Sequence, residues 1–269
     1  MDLNTVAEVI SPARAGQWRP GDAWLAGGTA LFGEPRPSVR RLLDLAAAGW
    51  TPLTVRDEGL EIAATCTVAS LAAFTAAPHF EAFHAIAGGC CHAFLASFKI
   101  WNVATVGGNL CAALPAGPMI ALTAALDGEC LLLAPDGTSR RVPVVSFVTG
   151  NGTTVLGDGE LLRSIHLPVG ALTGKATFRQ GSLHTYGRSA ALLVGRRDGD
   201  GRFTLIVTAS TWRPYRLVFR AVPTAEMLQV ALSEGVPAAA YVDDVHGLPV
   251  WRRHLTRMYA EEIRQELAP

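Results

Sequence analysis

The sequence predicts an α+β fold in two parts, an N-terminal α+β region followed by a smaller C-terminal α+β domain. Three observations lead there. Short apolar runs bounded by turn residues are interleaved with stretches of helical spacing. Two paired-strand patterns close on Pro135-Asp136-Gly137 and Asp198-Gly199-Asp200-Gly201. The chain ends in one strongly amphipathic helix. A seam near 168–175, marked by Pro168, Gly170 and Gly174, predicts units 1–170 and 171–269, the first divided into subdomains of about 1–52 and 53–170.

Residues 1–50 read as loop, short strand, turn and helix. Trp24-Leu25-Ala26 runs into Gly27-Gly28, and 38–48 carries apolar positions at Leu42, Leu43 and Leu45 that suit a helix or a strand. The runs 53–55 and 60–64 predict a hairpin closed by Asp57-Glu58-Gly59. Val68, Leu71, Ala72 and Phe74 have helical spacing. Segment 80–100 predicts a helix in two parts, broken near Gly88-Gly89, and 119–126 a short helix. Strand patterns recur at 130–134, 141–145, 161–167, 176–180, 192–195 and 203–209. In the last helix Trp251, Leu255, Met258, Tyr259, Ile263 and Leu267 share one face, with Arg252, Arg253, Glu261, Arg264 and Glu266 on the other.

Charge and cysteine usage narrow the function classes. With 23 basic and 23 acidic residues the formal net charge is zero, which argues against nucleic acid or an anionic membrane as partner. No apolar run approaches the roughly 20 residues that span a bilayer, so no membrane span is expected. Met1-Asp2-Leu3-Asn4 shows no basic and apolar signal pattern. The five cysteines, Cys66, Cys90, Cys91, Cys111 and Cys130, are odd in number and lack Cys-x-x-Cys spacing. They read as small buried hydrophobes of a reduced, cytoplasmic protein, so no metal site is expected and any iron–sulfur cluster sits on another chain. Neither Gly-x-Ser-x-Gly nor His-Glu-x-x-His is present, and no catalytic residue is assigned.

The features that carry chemistry are two double-glycine turns, Ala26-Gly27-Gly28-Thr29 and Thr105-Val106-Gly107-Gly108-Asn109. A glycine pair after a short strand frees the backbone to turn sharply and leaves no Cβ in a ligand's way. Successive amides can then converge on an anion, and a diphosphate would suit two such turns facing each other. One such turn is by itself an ordinary tight turn. The other nucleotide signatures are missing: no Gly-x-Gly-x-x-Gly follows a strand, and Gly170 to Ala176 has the wrong glycine spacing and Ala176 in place of a magnesium-binding hydroxyl.

The run from Ile100 to Cys111, followed by Ala113, Pro115 and Ala121-Leu122, resembles the second FAD motif of the flavoprotein subunits of carbon monoxide dehydrogenase and xanthine dehydrogenase, the molybdenum hydroxylase family. Ala26-Gly27-Gly28-Thr29-Ala30-Leu31 is similar to their first motif, and 241–255 to the end of their C-terminal domain. The resemblance implies a two-subdomain FAD-binding domain of the vanillyl-alcohol-oxidase/xanthine-dehydrogenase type plus a small C-terminal α+β domain with a three-stranded sheet. It also implies partners: a large molybdopterin-binding subunit and a small iron–sulfur subunit with [2Fe–2S] clusters, in a dimer of heterotrimers, with FAD on this medium subunit passing electrons to an external acceptor. By carry-over the FAD contacts would be Leu25, Ala26, Gly27, Gly28, Thr29, Ala30, Leu31, Thr105, Val106, Gly107, Gly108 and Asn109, with Tyr186 beside the isoalloxazine and His184 and Arg188 flanking it.

Three positions depart from the family pattern. Pro118 stands where an acid contacts FAD hydroxyls, a loss of about 0.5–1.5 kcal/mol. Trp101 replaces an Arg, and Gly187-Arg188-Ser189 replaces a stretch bearing an Asp. Two other readings follow: a stand-alone FAD-dependent oxidoreductase, or a structural subunit with weak or lost flavin binding.

Overall fold

A computed structural model describes residues 3–11 and 15–269; Met1 and Asp2, part of the N-terminal reading, lie outside them. Three layers of sheet carry the chain. The first is a parallel sheet of β1 (Glu8–Ile10), β2 (Asp22–Leu25) and β3 (Arg41–Asp44) in the order β1-β3-β2. Residues 38–48 thus resolve into strand β3 and a 3₁₀ turn, Leu45–Ala48, capped by the Asp44 side chain and closed by Gly49 at φ 62°.

The second sheet is antiparallel, built from β4 (Leu53–Arg56), β5 (Gly59–Ala63), β6 (Glu129–Leu133), β7 (Ser139–Pro143) and, at its centre, β10 (Leu161–Pro168). A short ribbon, β8 (Val148–Gly150) with β9 (Thr153–Thr154), lies between β7 and β10. The hairpins at Asp57-Glu58-Gly59 and Pro135-Asp136-Gly137 form as their turn residues demand. Leu60, Ile62, Cys130, Leu132, Ile165 and Leu167 alternate onto one face and bury there. Helices cover that face: α1 (Val68–Ala72), α2 (Glu81–His92), α3 (Phe98–Trp101), α4 (Val106–Ala112) and α5 (Pro118–Ala125). Every residue of α5 is buried, as befits a helix apolar all round. One-turn helices α6 (Val144–Phe147) and α7 (Val169–Leu172) close the region.

The third sheet has the order β11 (Lys175–Gly181), β12 (Ala191–Arg197), β13 (Phe203–Thr208), β14 (Tyr215–Phe219), with α8 (Ala225–Gly235) and α9 (Pro249–Glu266) against it. It has four strands where three were expected, because Tyr215, Leu217 and Phe219 alternate inward and pair β14 with β13. β12 and β13 are buried on both faces. Leu192, Val194 and Ile206 pack toward α2 and α5, whereas Leu193, Leu205 and Val207 pack toward α8 and α9.

Two expectations about helices need correction. α2 runs unbroken through Gly88-Gly89. Gly89 is there for space: a Cβ at that position would lie 2.1 Å from the Phe178 ring of β11. In α9, Arg252 is not on a solvated face but 1% exposed. Its guanidinium donates to the carbonyls of Gly247 (3.0 Å), Ala190 (2.7 Å) and Ala209 (2.9 Å) and pairs with Asp244 at 2.5 Å, the full satisfaction a buried cation requires. Arg196, also fully buried, is held by Asp127, Asp198 and the Ala125 carbonyl. Four cysteines are buried as expected, and Cys111 is exposed. Among the described residues no helix is long and apolar enough to cross a membrane.

Candidate functional site: a cleft between two glycine turns

Strand β2 delivers its C-terminal end to the first glycine turn, and the Thr105 bridge to Thr67 delivers the second. Both line one cleft of about 250 Å³ between the first and second sheets. Ala26, Gly27, Gly28, Thr29, Ala30 and Leu31 form one wall, and Thr105, Gly107 and Gly108 part of the other. Contact between the turns explains the first glycine: a Cβ at Gly27 would sit 1.7 Å from the Val103 carbonyl oxygen. Gly28 holds φ at 70°, the left-handed region that favours glycine.

The two turns present different chemistry. Within the described residues the amides of Gly27, Gly28, Thr29, Ala30 and Leu31 donate to nothing in the chain. They form an open run of donors. At the second turn the amides are already used. Val106 N–H donates to Cys66 O (2.8 Å), Gly107 N–H to Ala64 O (3.0 Å), and Asn109 N–H to Thr105 O (3.0 Å). Gly108 N–H donates to Thr105 Oγ1 at 3.0 Å, so Thr105 is the N-cap of α4. What this turn offers the cleft is the Thr105 hydroxyl proton and a surface without Cβ atoms. Gly107 also packs tightly, since a Cβ there would lie 2.5 Å from that of Ala64.

Four of the expected contacts lie off the cleft wall. Leu25 packs with the small core of the first sheet, and Val106 is fully buried. The Asn109 side chain turns inward, its Oδ1 accepting from Met119 N–H at 3.1 Å at the start of α5. Tyr186 is 90% exposed in the β11–β12 loop. His184 is exposed beside it, and Ser189 is buried, its hydroxyl bonded by Gln180 Nε2 at 2.9 Å. Pro118 is buried at the first position of α5, where a missing N–H costs nothing. Trp101 stacks edge-on with His92, its indole N–H buried without a partner.

Residues that the glycine motifs do not announce complete the cleft. Ala64, Cys111, Leu161 and Leu162 supply apolar wall, and Arg36 and Glu160 are its charged members. Glu160 is neutralised in place. Arg140 grips both carboxylate oxygens (2.8 and 2.6 Å) and the Gly157 amide donates to one of them at 2.7 Å. The Arg140 hydrogen bond, reinforced by that amide against the opposing effect of burial, holds its carboxyl below the usual range. Cys111 is open to the cleft, and the chain packed around it raises its thiol, so it stays uncharged at neutral pH. Through Trp24, Leu45 and Leu161 the cleft adjoins a second cavity of about 650 Å³. There the Arg163 guanidinium stacks over Trp50, 4.2 Å from the ring centre.

This donor set fits a dinucleotide cofactor: free amides for phosphate, glycine surfaces for close approach, and an adjoining cavity with Trp24, Leu45 and Trp50 for a flat ring. Among the described residues no group of three or more His, Cys, Asp or Glu could hold a metal ion. Comparison with known proteins agrees. Residues 123 long in alignment, 43% of this chain, are 29% identical to xanthine dehydrogenase 2 of Arabidopsis thaliana, and the match spans only 9% of that protein. Quinoline 2-oxidoreductase from Pseudomonas putida 86 shares the fold with a TM-score of 0.77 at 20% identity, over 99% of this chain and 98% of its own. Carbon monoxide dehydrogenase from Hydrogenophaga pseudoflava does so with a TM-score of 0.77 at 18% identity, over 97% and 96%. Residues 4–170 match the model of the FAD binding domain in molybdopterin dehydrogenase, and the chain therefore belongs to that family.

Proposed function

We propose that this chain is the FAD-binding electron-transfer subunit of a multi-subunit molybdenum hydroxylase. The observation that carries the reading is the convergence of both glycine turns on one cleft, with five amides that are unspent among the described residues on one wall and a Cβ-free surface opposite. FAD supplies chemistry that side chains lack, since it accepts electrons singly and releases them as a pair. The chain's own residues bind and orient. Amides 27–31 receive a phosphate, the Thr105 hydroxyl donates to the same diphosphate, and Leu161 and Leu162 keep water from one side of the cofactor. Residues 1–170 would form the FAD unit and 171–269 the flanking domain.

The partners in this reading are a large molybdopterin-binding subunit and a small subunit with [2Fe–2S] clusters, assembled as a dimer of heterotrimers in the cytoplasm. Electrons would arrive from those clusters and leave to an external acceptor. The test is purification of the tagged chain with its neighbours intact. A yellow preparation, with flavin absorbance at one FAD per chain and two companion subunits, is the expected result. A colourless chain that takes up no FAD on soaking would overturn the reading.

A further inference from the structure

Arg36 is the unspent cation of the cleft. It lines the same wall as the free amides of Gly27 to Leu31, and its guanidinium donates to nothing within the described residues. The other charged member, Glu160, is already matched by Arg140, so among the described residues the charge of Arg36 is the one left uncompensated there. A diphosphate brings two negative groups, whereas only the first turn has amides to give. The second turn has used its own on Cys66, Ala64 and Thr105. One phosphate group is thus left with a single hydroxyl donor from Thr105, and a guanidinium is the side chain best shaped to meet such an oxyanion.

The surrounding sequence makes Arg36 an arm on a fixed base. It sits in Pro35-Arg36-Pro37, where each ring fixes its own φ and Pro37 keeps Arg36 itself extended. Its carbonyl accepts from Val39 N–H at 3.1 Å and from Thr5 Oγ1 at 3.4 Å, so the backbone is tied while the side chain is not. Building on the FAD reading, we infer that Arg36 is a diphosphate-binding residue, reaching from this strap to the phosphate that the second glycine turn cannot satisfy with amides. It would also offset the hydroxyl contact absent at Pro118.

The experiment is a fluorescence titration of the flavin-stripped protein with FAD, repeated at rising salt, for wild type, Arg36→Ala and Arg36→Lys. Thermal unfolding without cofactor runs alongside. Arg36→Ala is expected to weaken FAD binding about tenfold or more, since a hydrogen bond to a charged group is lost. Its remaining affinity should respond less to salt than that of wild type, because a screened charge pair is gone. Arg36→Lys should fall between the two, and all three should unfold alike in the absence of FAD. Arg36→Ala with wild-type affinity and wild-type salt response would overturn the inference. So would equal weakening at every salt concentration together with a lowered unfolding midpoint. If wild type itself binds no FAD, the proposed function falls, and the titration reports that separately.

Discussion

The turn at Gly27-Gly28 and the turn at Gly107-Gly108 face one cleft from very different supports. The first hangs from a three-stranded sheet whose own buried core is Leu3, Val39 and Leu42. The second opens a helix anchored in the main core by Val106 and Leu110, both fully buried. Among the described residues the first keeps five amides unbonded, and the second spends four on its own chain. A glycine pair therefore has two separate uses here. In one turn it leaves donors free; in the other it lets a helix begin against Ala64 and leaves only open surface.

The strongest way to break this contrast is Gly27→Ala. With the Val103 carbonyl 1.7 Å from the new Cβ, the turn must leave its position, at a cost above about 3 kcal/mol and with loss of FAD binding. Gly108→Ala meets only the Thr105 hydroxyl, at 2.8 Å, so it should cost about the 1 kcal/mol of that cap in thermal melts while FAD titration shows weaker binding. Equal destabilisation by both substitutions would abolish the distinction.

A smaller effect is expected from the ion pair that braces the first sheet. The Asp22 carboxylate accepts from Arg41 (2.9 and 2.5 Å) and from the Arg19 amide (2.9 Å). The Arg41 hydrogen bond holds its carboxyl below the ordinary value, against the opposing effect of burial. A depressed carboxyl contributes stability above the unfolded value of about 3.9 and loses it as pH falls through the folded one. Asp22→Asn should therefore melt below wild type at pH 7, with the gap closing as the pH drops beneath about 4. A gap that persists in acid would assign the effect to packing instead.

The smallest effect belongs to Thr105→Val, which removes the cap of α4. Denaturant titration should report a loss of about 1 kcal/mol, with modestly weaker FAD binding from the missing hydroxyl. Unchanged FAD affinity would show that Thr105 serves the helix alone.

Much of this fold was legible because its signals are local. Asp57-Glu58-Gly59, Pro135-Asp136-Gly137 and Asp198 to Gly201 each specify a hairpin through their own backbone preferences. The glycine turns were legible as turns, but their hydrogen-bond states were not. Whether an amide at 107 is free depends on Ala64, forty-three residues earlier. Arg252 reads as a solvated helix residue because nothing near it in sequence announces the carbonyls of Ala190 and Ala209. Asn109 likewise turns away from the cleft because the first amides of α5 need an acceptor. Arg36 is not legible in the sequence, because an arginine between prolines has no pattern until the first turn is placed beside it.

The fit of Phe178 into the gap left by Gly89 has a consequence for how the sequence can drift. Gap and ring lie on α2 and β11 respectively, and neither position can enlarge without the other giving way. A larger residue at 89 would be tolerated only in company with a smaller one at 178. The two positions should change together across descendants of this chain, tying the history of the helix to that of the strand.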